Sequence, residues 1–216
     1  MRVLKLIAAL TMGVSVAACG AMPDIASRNA PFEATQPSSA QDLRPKAPFQ
    51  PTAMLETQTP LPMTVKAINI NVPGALKVSE ANTYYPSADI VWRGDPVGNR
   101  RTQITEIFET AFKRGTVGMD GSTPVILDVE LVRFHSVTEK TRYSVGGVHN
   151  IMFKLTVRRA STGAALAPTR FIEADLPALG GRSAMEADRK GQTQKVRVTD
   201  HLALVIQQEL SRFVAG

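Results

Sequence analysis

TPVILDVELVRFHSV, residues 123–137, alternates along its length: Val125, Leu127, Val129 and Leu131 share one side, and Asp128 and Glu130 share the other. Successive side chains of an extended chain point to opposite faces, so this spacing predicts a half-buried strand. GGVHNIMFKLTVRRA, residues 146–160, repeats the pattern, with Ile151, Phe153, Leu155 and Val157 opposite Met152, Lys154, Thr156 and Arg158. Acidic outer positions on one strand and basic outer positions on the next pair well if the two are antiparallel neighbours.

Working outward, NRRTQITEIFETAFKRG (residues 99–115) places Ile104, Ile107, Phe108, Ala111 and Phe112 three and four apart, one apolar stripe on a helix. Lys113 and Arg114 suit its C-terminal dipole, and Gly115 is expected to supply a left-handed cap. Upstream, ADIVWRGDP (88–96) reads as a short strand closed by Gly94-Asp95-Pro96, and MTVKAINI (63–70) as another strand before the Pro73-Gly74 turn. Downstream, residues 161–163 form a turn and TRFIEADL (169–176) a further strand. A Gly- and charge-rich loop then runs from Pro177 to about Arg197, with Ser183 and Glu186 able to box a short helical turn. TDHLALVIQQELSRFV closes the chain as a helix with Leu202, Ile206, Leu210 and Phe213 inward, supported by Val205. Two strands, a helix, three strands and a helix give an α+β fold: an antiparallel or mixed β-sheet with two helices packed on one face.

The N-terminus has a different logic. Arg2 and Lys5 precede an uncharged run from Leu6 to Ala18, too short to span a bilayer and patterned as a secretory signal peptide, residues 1–18. Val16-Ala17-Ala18-Cys19 resembles the lipobox of bacterial lipoproteins. That resemblance implies cleavage before Cys19, the only cysteine, diacylation of its thiol (palmitate among the acyl groups) and acylation of its new amino group. Several acyl chains anchor durably where one does not. Gly20, in place of an aspartate that would retain the protein in the inner membrane, implies the periplasmic face of the outer membrane. Eight of the fourteen prolines fall between Ala21 and Pro62, so residues 19–62 read as a lipidated, Pro-rich disordered tether and 63–216 as one periplasmic domain.

Losing residues 1–18 removes Arg2 and Lys5 and lowers the formal net charge from +6 to +4, which does not call for nucleic acid. His135, His149 and His201 fall at no metal-binding interval and read as surface or edge histidines, so no metal and no cofactor is expected. The acidic pairs Asp128/Glu130 and Glu106/Glu109 fit solvated faces better than acid–base chemistry. With no nucleophile elbow or phosphate-binding glycine run, no catalytic residue is assigned and the chain is not expected to be an enzyme. Two groups stand out as binding candidates. VWRGDPVGNRR brings Trp92, Arg93, Asp95, Arg100 and Arg101 together as a partner interface, with Trp92 as anchor or, equally, as a core residue at a strand end. Arg182, Arg189, Lys190, Lys195 and Arg197 form a basic loop able to touch anionic headgroups or an acidic partner.

The lipobox, the Pro-rich tether, DIVWRGDP, the helix after it and the strand-rich second half together resemble an uncharacterised family of alphaproteobacterial lipoproteins. The layout is also loosely similar to small envelope lipoproteins that accompany transport or assembly machinery. The resemblance implies an envelope location and transfers no catalytic residues. The expected function is a noncatalytic accessory lipoprotein, held to the membrane by its acyl chains, whose domain binds an envelope protein. The alternative is a carrier or sensor for a small apolar or lipid ligand, which requires a preformed apolar pocket. An extracytoplasmic enzyme without a recognisable motif ranks third.

Overall fold

The computed structural model describes residues 60–213; the expected signal peptide, Cys19 and the tether up to residue 59 lie outside them. The strands are β1 (Met63–Asn71), β2 (Ile90–Val91), β3 (Thr123–His135), β4 (Gly147–Arg159), β5 (Arg170–Glu173) and β6 (Leu176–Ala178). The helices are α1 (Arg100–Thr116), α2 (Glu139–Arg142), α3 (Gly181–Arg189) and α4 (Gln194–Ser211). The sheet runs β1-β3-β4-β5, with β2 beside the end of β3 and β6 beside the start of β4. β1 and β2 are parallel to β3, while β4 is antiparallel to β3 and both β5 and β6 are antiparallel to β4, so the sheet is mixed.

The alternating pair lands as its pattern requires. Leu127 lies opposite Val157 and Leu131 opposite Phe153 on the inner face. On the outer face Lys154 reaches Glu130 at 2.8 Å and Arg158 reaches Asp128 at 2.6 Å. All five residues of the α1 stripe are fully buried. Phe108 and Phe112 meet Phe153 edge-on at 5.3 and 5.8 Å, which fixes α1 against the inner face of the sheet.

Four expectations are corrected. Gly115 is not a left-handed cap: α1 continues to Thr116, and a Cβ on Gly115 would lie 2.3 Å from the Ala203 carbonyl of α4. Its missing side chain lets the two long helices touch. The stretch from Pro177 to Arg197 is not a loop, since α3 occupies its middle and α4 begins at Gln194. The box of Ser183 and Glu186 does not form either, because the N-cap of α3 is Gly180, with no side-chain cap. The predicted strand 169–176 is divided at Ala174–Asp175, yet β5 and β6 keep one register against β4.

The molecule has two distinct ends. The chain enters beside its own exit, with the Leu61 amide donating to the Phe213 carbonyl at 2.7 Å, so residues 60–62 belong to the domain rather than to a tether. Thirteen residues of β3 carry the sheet from there to His135, about 40 Å at ~3.3 Å per residue. At that far end lie β2, α2, the start of β4 and the start of α4, because Gln194 bonds to Ser136 next to the end of β3.

Candidate functional site

The far end holds the densest polar network among the described residues. Trp92 follows β2 directly, packs edge-on to Phe134 at 5.5 Å and is fully buried. Its Nε1 donates to Asp95 Oδ2 at 2.7 Å, and the other Asp95 oxygen accepts from Lys195 Nζ of α4 at 2.8 Å. One carboxylate therefore joins the two groups singled out in the sequence.

Around it two guanidiniums share acidic partners. Arg93 Nε donates to both oxygens of Glu139 at 2.9 and 2.7 Å, and its Nη1 donates to Glu80 at 2.6 Å. Arg100, almost fully buried at the start of α1, grips Glu80 with Nε and Nη2 and donates Nη1 to the carbonyls of Asp95 and Pro96. The Arg100 hydrogen bond holds the Glu80 carboxyl below the usual range. Burial pushes Glu139 up, but the Arg93 hydrogen bond and charge outweigh it and leave the carboxyl lowered. Arg93 is raised in turn, chiefly by its bond to Glu139. Arg101 does separate work, with Nη2 donating to the Gly74 and Leu76 carbonyls and clamping the connection after β1.

A second chain of bonds ties α2, α3 and α4 to the sheet. Arg142 donates to Asp188 at 2.5 Å and to Gln194 Oε1 at 2.9 Å. Gln194 Nε2 donates to Ser136 Oγ at 2.5 Å, which leaves the serine proton free to donate to His149 Nδ1 at 2.8 Å. His149 is fully buried and its Nε2 has no partner. Burial, reinforced by Arg197, Arg142 and His201, pushes the His149 imidazole down to about 3, so it is neutral. Burial also lowers His201, against the opposing pull of the Ala174 carbonyl and Asp175. The histidines are thus not all surface residues, because His135 is buried too, stacked under Tyr85 at 4.4 Å.

Ser136 beside His149 has the outline of a nucleophile and its base, but the geometry supports another role. Ser136 is 2 % exposed, its oxygen already accepts from Gln194, and no carboxylate orients the imidazole. The chain of bonds holds α4 against the sheet. Among the described residues no three His, Cys, Asp or Glu side chains converge in a way that could hold a metal ion. A cleft of about 470 Å³ between β1 and α1 is lined by Lys66, Glu109 and Lys113 as well as Val65 and Ile68. That lining does not match the preformed apolar pocket a lipid carrier needs.

The predicted interface is therefore rearranged. Trp92 cannot be a surface anchor, because its ring lies wholly in the core. Arg93, Asp95 and Arg100 do come together, but they face one another and their acidic partners. Of the basic group, Lys195 is bound to Asp95, Arg197 donates to the Pro177 carbonyl and Lys190 pairs with Glu186. Arg182 and Arg189 stay exposed on α3. Sequence reasoning missed Glu80, Glu139 and Arg142, whose partners are distant in the chain. It also missed Tyr84, Tyr85 and Tyr143, the chain's only tyrosines, which are 55 %, 71 % and 56 % exposed at this same end. Lys140 Nζ sits 4.6 Å over the Tyr84 ring, and Arg133 donates to the Tyr85 hydroxyl at 2.8 Å. The available signal was their composition: every tyrosine lies in or beside a polar, non-strand segment.

Residues 63–215 match a protein family of unknown function (DUF6778). The chain belongs to this family. No curated protein matches it. Among solved structures it is similar to a protein from Xanthomonas campestris (XCC0632), with 11% identity, TM-score 0.43, and 72% of this chain and 86% of that one covered. It is also similar to a minor lipoprotein from Acinetobacter baumannii, with 15% identity, TM-score 0.30, and 68% and 92% covered. A candidate lipoprotein from Caulobacter crescentus matches with 14% identity, TM-score 0.31, and 49% and 79% covered. No helix of the described residues is long and apolar enough to cross a membrane.

Proposed function

We propose that this family member is a noncatalytic accessory lipoprotein of the bacterial envelope. Its acylated Cys19 anchors it to the periplasmic face of the outer membrane, and its domain binds an envelope protein through the end that carries the three tyrosines. The observation that carries this reading is the polarity of the domain. The chain enters at Leu61 beside Phe213, whereas the exposed tyrosines crown the opposite end of β3. An anchor at one end leaves the other free to meet a partner, and anchoring raises the local concentration of the pair. Tyrosine suits the task, since its ring supplies contact area at little entropic cost and its hydroxyl stays solvated.

The test is cross-linking in cells on the full tagged chain, followed by extraction in mild detergent and identification of what copurifies. A Cys19→Ala chain and a Tyr84→Ser/Tyr143→Ser chain run in parallel. The proposal expects one dominant envelope protein, reduced in the tyrosine variant, and loss of membrane attachment in the cysteine variant. Equal recovery from the parent and the tyrosine variant, or no enrichment by the parent over an unrelated lipoprotein, would reject it.

A further inference from the structure

The tyrosine end also has a charge, and it comes from which groups are left over. Asp89 and Asp175 accept from uncharged donors, the Lys77 amide and Asn150, and four further carboxylates of this end are engaged in ion pairs: Glu80 and Glu139 by Arg93 and Arg100, Asp95 by Lys195, and Asp188 by Arg142. Its outermost cations are not. Among the described residues no carboxylate lies within ion-pair distance of Lys140, Arg133, Arg182 or Arg189.

These cations and the tyrosines form one surface. The Tyr84 carbonyl accepts from Thr141 of α2 at 2.8 Å, and Lys140 lies over the ring. Tyr143 ends α2, and Val145 follows, 77 % exposed. Arg182 is next, because the first turn of α3 packs on residues 144–146. A Cβ on Gly180 would lie 2.2 Å from the Gly146 amide, and one on Gly181 3.0 Å from the Ser144 carbonyl. Positive φ angles of 72° at Gly146 and 53° at Gly181 permit this approach. The Arg142–Asp188 pair closes the same junction from below.

We infer that this surface docks an acidic segment of a protein partner, with aromatic or aliphatic side chains between its carboxylates. Apolar groups would lie on Tyr84, Tyr143 and Val145, and carboxylates would meet Lys140 and Arg182. The inference rests on the partner-binding reading and adds its chemistry. A membrane surface is the lesser fit. The chain enters the domain at the opposite end, beside Phe213.

The experiment uses the full lipidated chain in detergent micelles and defined probes. These are a random glutamate–tyrosine copolymer, polyglutamate, a lysine–tyrosine copolymer, and phosphatidylcholine vesicles containing phosphatidylglycerol. The expected result is salt-sensitive binding of the glutamate–tyrosine copolymer, at least about tenfold tighter than either other polymer. Lys140→Glu/Arg182→Glu and Tyr84→Ser/Tyr143→Ser each weaken it by at least about tenfold. Unchanged Trp92 emission shows that both variants are folded. Equal binding of the lysine–tyrosine copolymer, indifference to both variants, or vesicle capture lost on charge reversal without copolymer binding would each overturn the inference. If any of these occurs while tyrosine-dependent capture of one envelope protein persists in cells, the acidic chemistry fails and the partner-binding reading stands.

Discussion

Acidification should loosen this domain before its carboxylates titrate, and His149 is the reason. Its imidazole is buried between β4 and α4, bonded through Nδ1 to Ser136, with Arg142, Arg197 and His201 all disfavouring a second proton. The folded state holds it near 3 against an ordinary value of 6.5, so below 6.5 the unfolded chain takes up a proton that the folded chain refuses. The stability this group contributes is complete above pH 6.5 and is lost as pH falls from there towards 3. At about 1.4 kcal/mol per pH unit, the cost approaches about 2 kcal/mol at roughly pH 5. His201, also lowered, acts in the same direction. Glu80, Glu139 and Asp128 are lowered from 4.5, 4.5 and 3.8, so their losses begin only in more acid solution. The assay is urea unfolding of a Cys19→Ala chain, read by the emission of Trp92, the sole tryptophan and fully buried. Between roughly pH 7 and pH 5 the parent should lose about 2 kcal/mol, and His149→Asn should lose most of that dependence whatever its absolute stability. A flat profile in the parent, or the same slope in the variant, refutes the reasoning.

Other outcomes follow from the packing. Gly115→Ala drives a methyl group into the Ala203 carbonyl and should cost about 1–3 kcal/mol, seen as a lower urea midpoint with an unchanged slope. Arg100→Met leaves Glu80 with only Arg93 and strands the Asp95 carbonyl, while the Pro96 carbonyl keeps Gln103, for a loss of about 3 kcal/mol or more by the same assay. By contrast, Lys154→Ala breaks an ion pair whose partners are both about half exposed, and should shift the midpoint by less than about 1 kcal/mol.

How much of this was legible in the sequence depended on how local each cause is. The alternation of Val125 to Leu131 and the stripe from Ile104 to Phe112 are short-range consequences of burial on one face, and both patterns survive unchanged. The parallel pairing of β1 with β3 joins residues about sixty apart and leaves no local mark. The start of α4 is hidden for a related reason. Gln194 is polar in sequence but buried in the fold, because Arg142 and Ser136 satisfy its amide. Trp92 shows the limit at the site itself. Its neighbours Arg93 and Asp95 suggested a surface, while the indole uses Asp95 as the partner that lets it be buried. Glu80 and Glu139 became visible only once loops far apart in the chain met at Arg93.

The most direct test of the account is site-resolved photocross-linking in cells, with a photoreactive phenylalanine analogue at Tyr85 or Tyr143 at the far end and at Val117, exposed beyond the C-terminal end of α1. The account predicts a discrete adduct with one envelope protein from both tyrosine positions and none from Val117. Adducts from Val117 with none from Tyr85 or Tyr143 would contradict it.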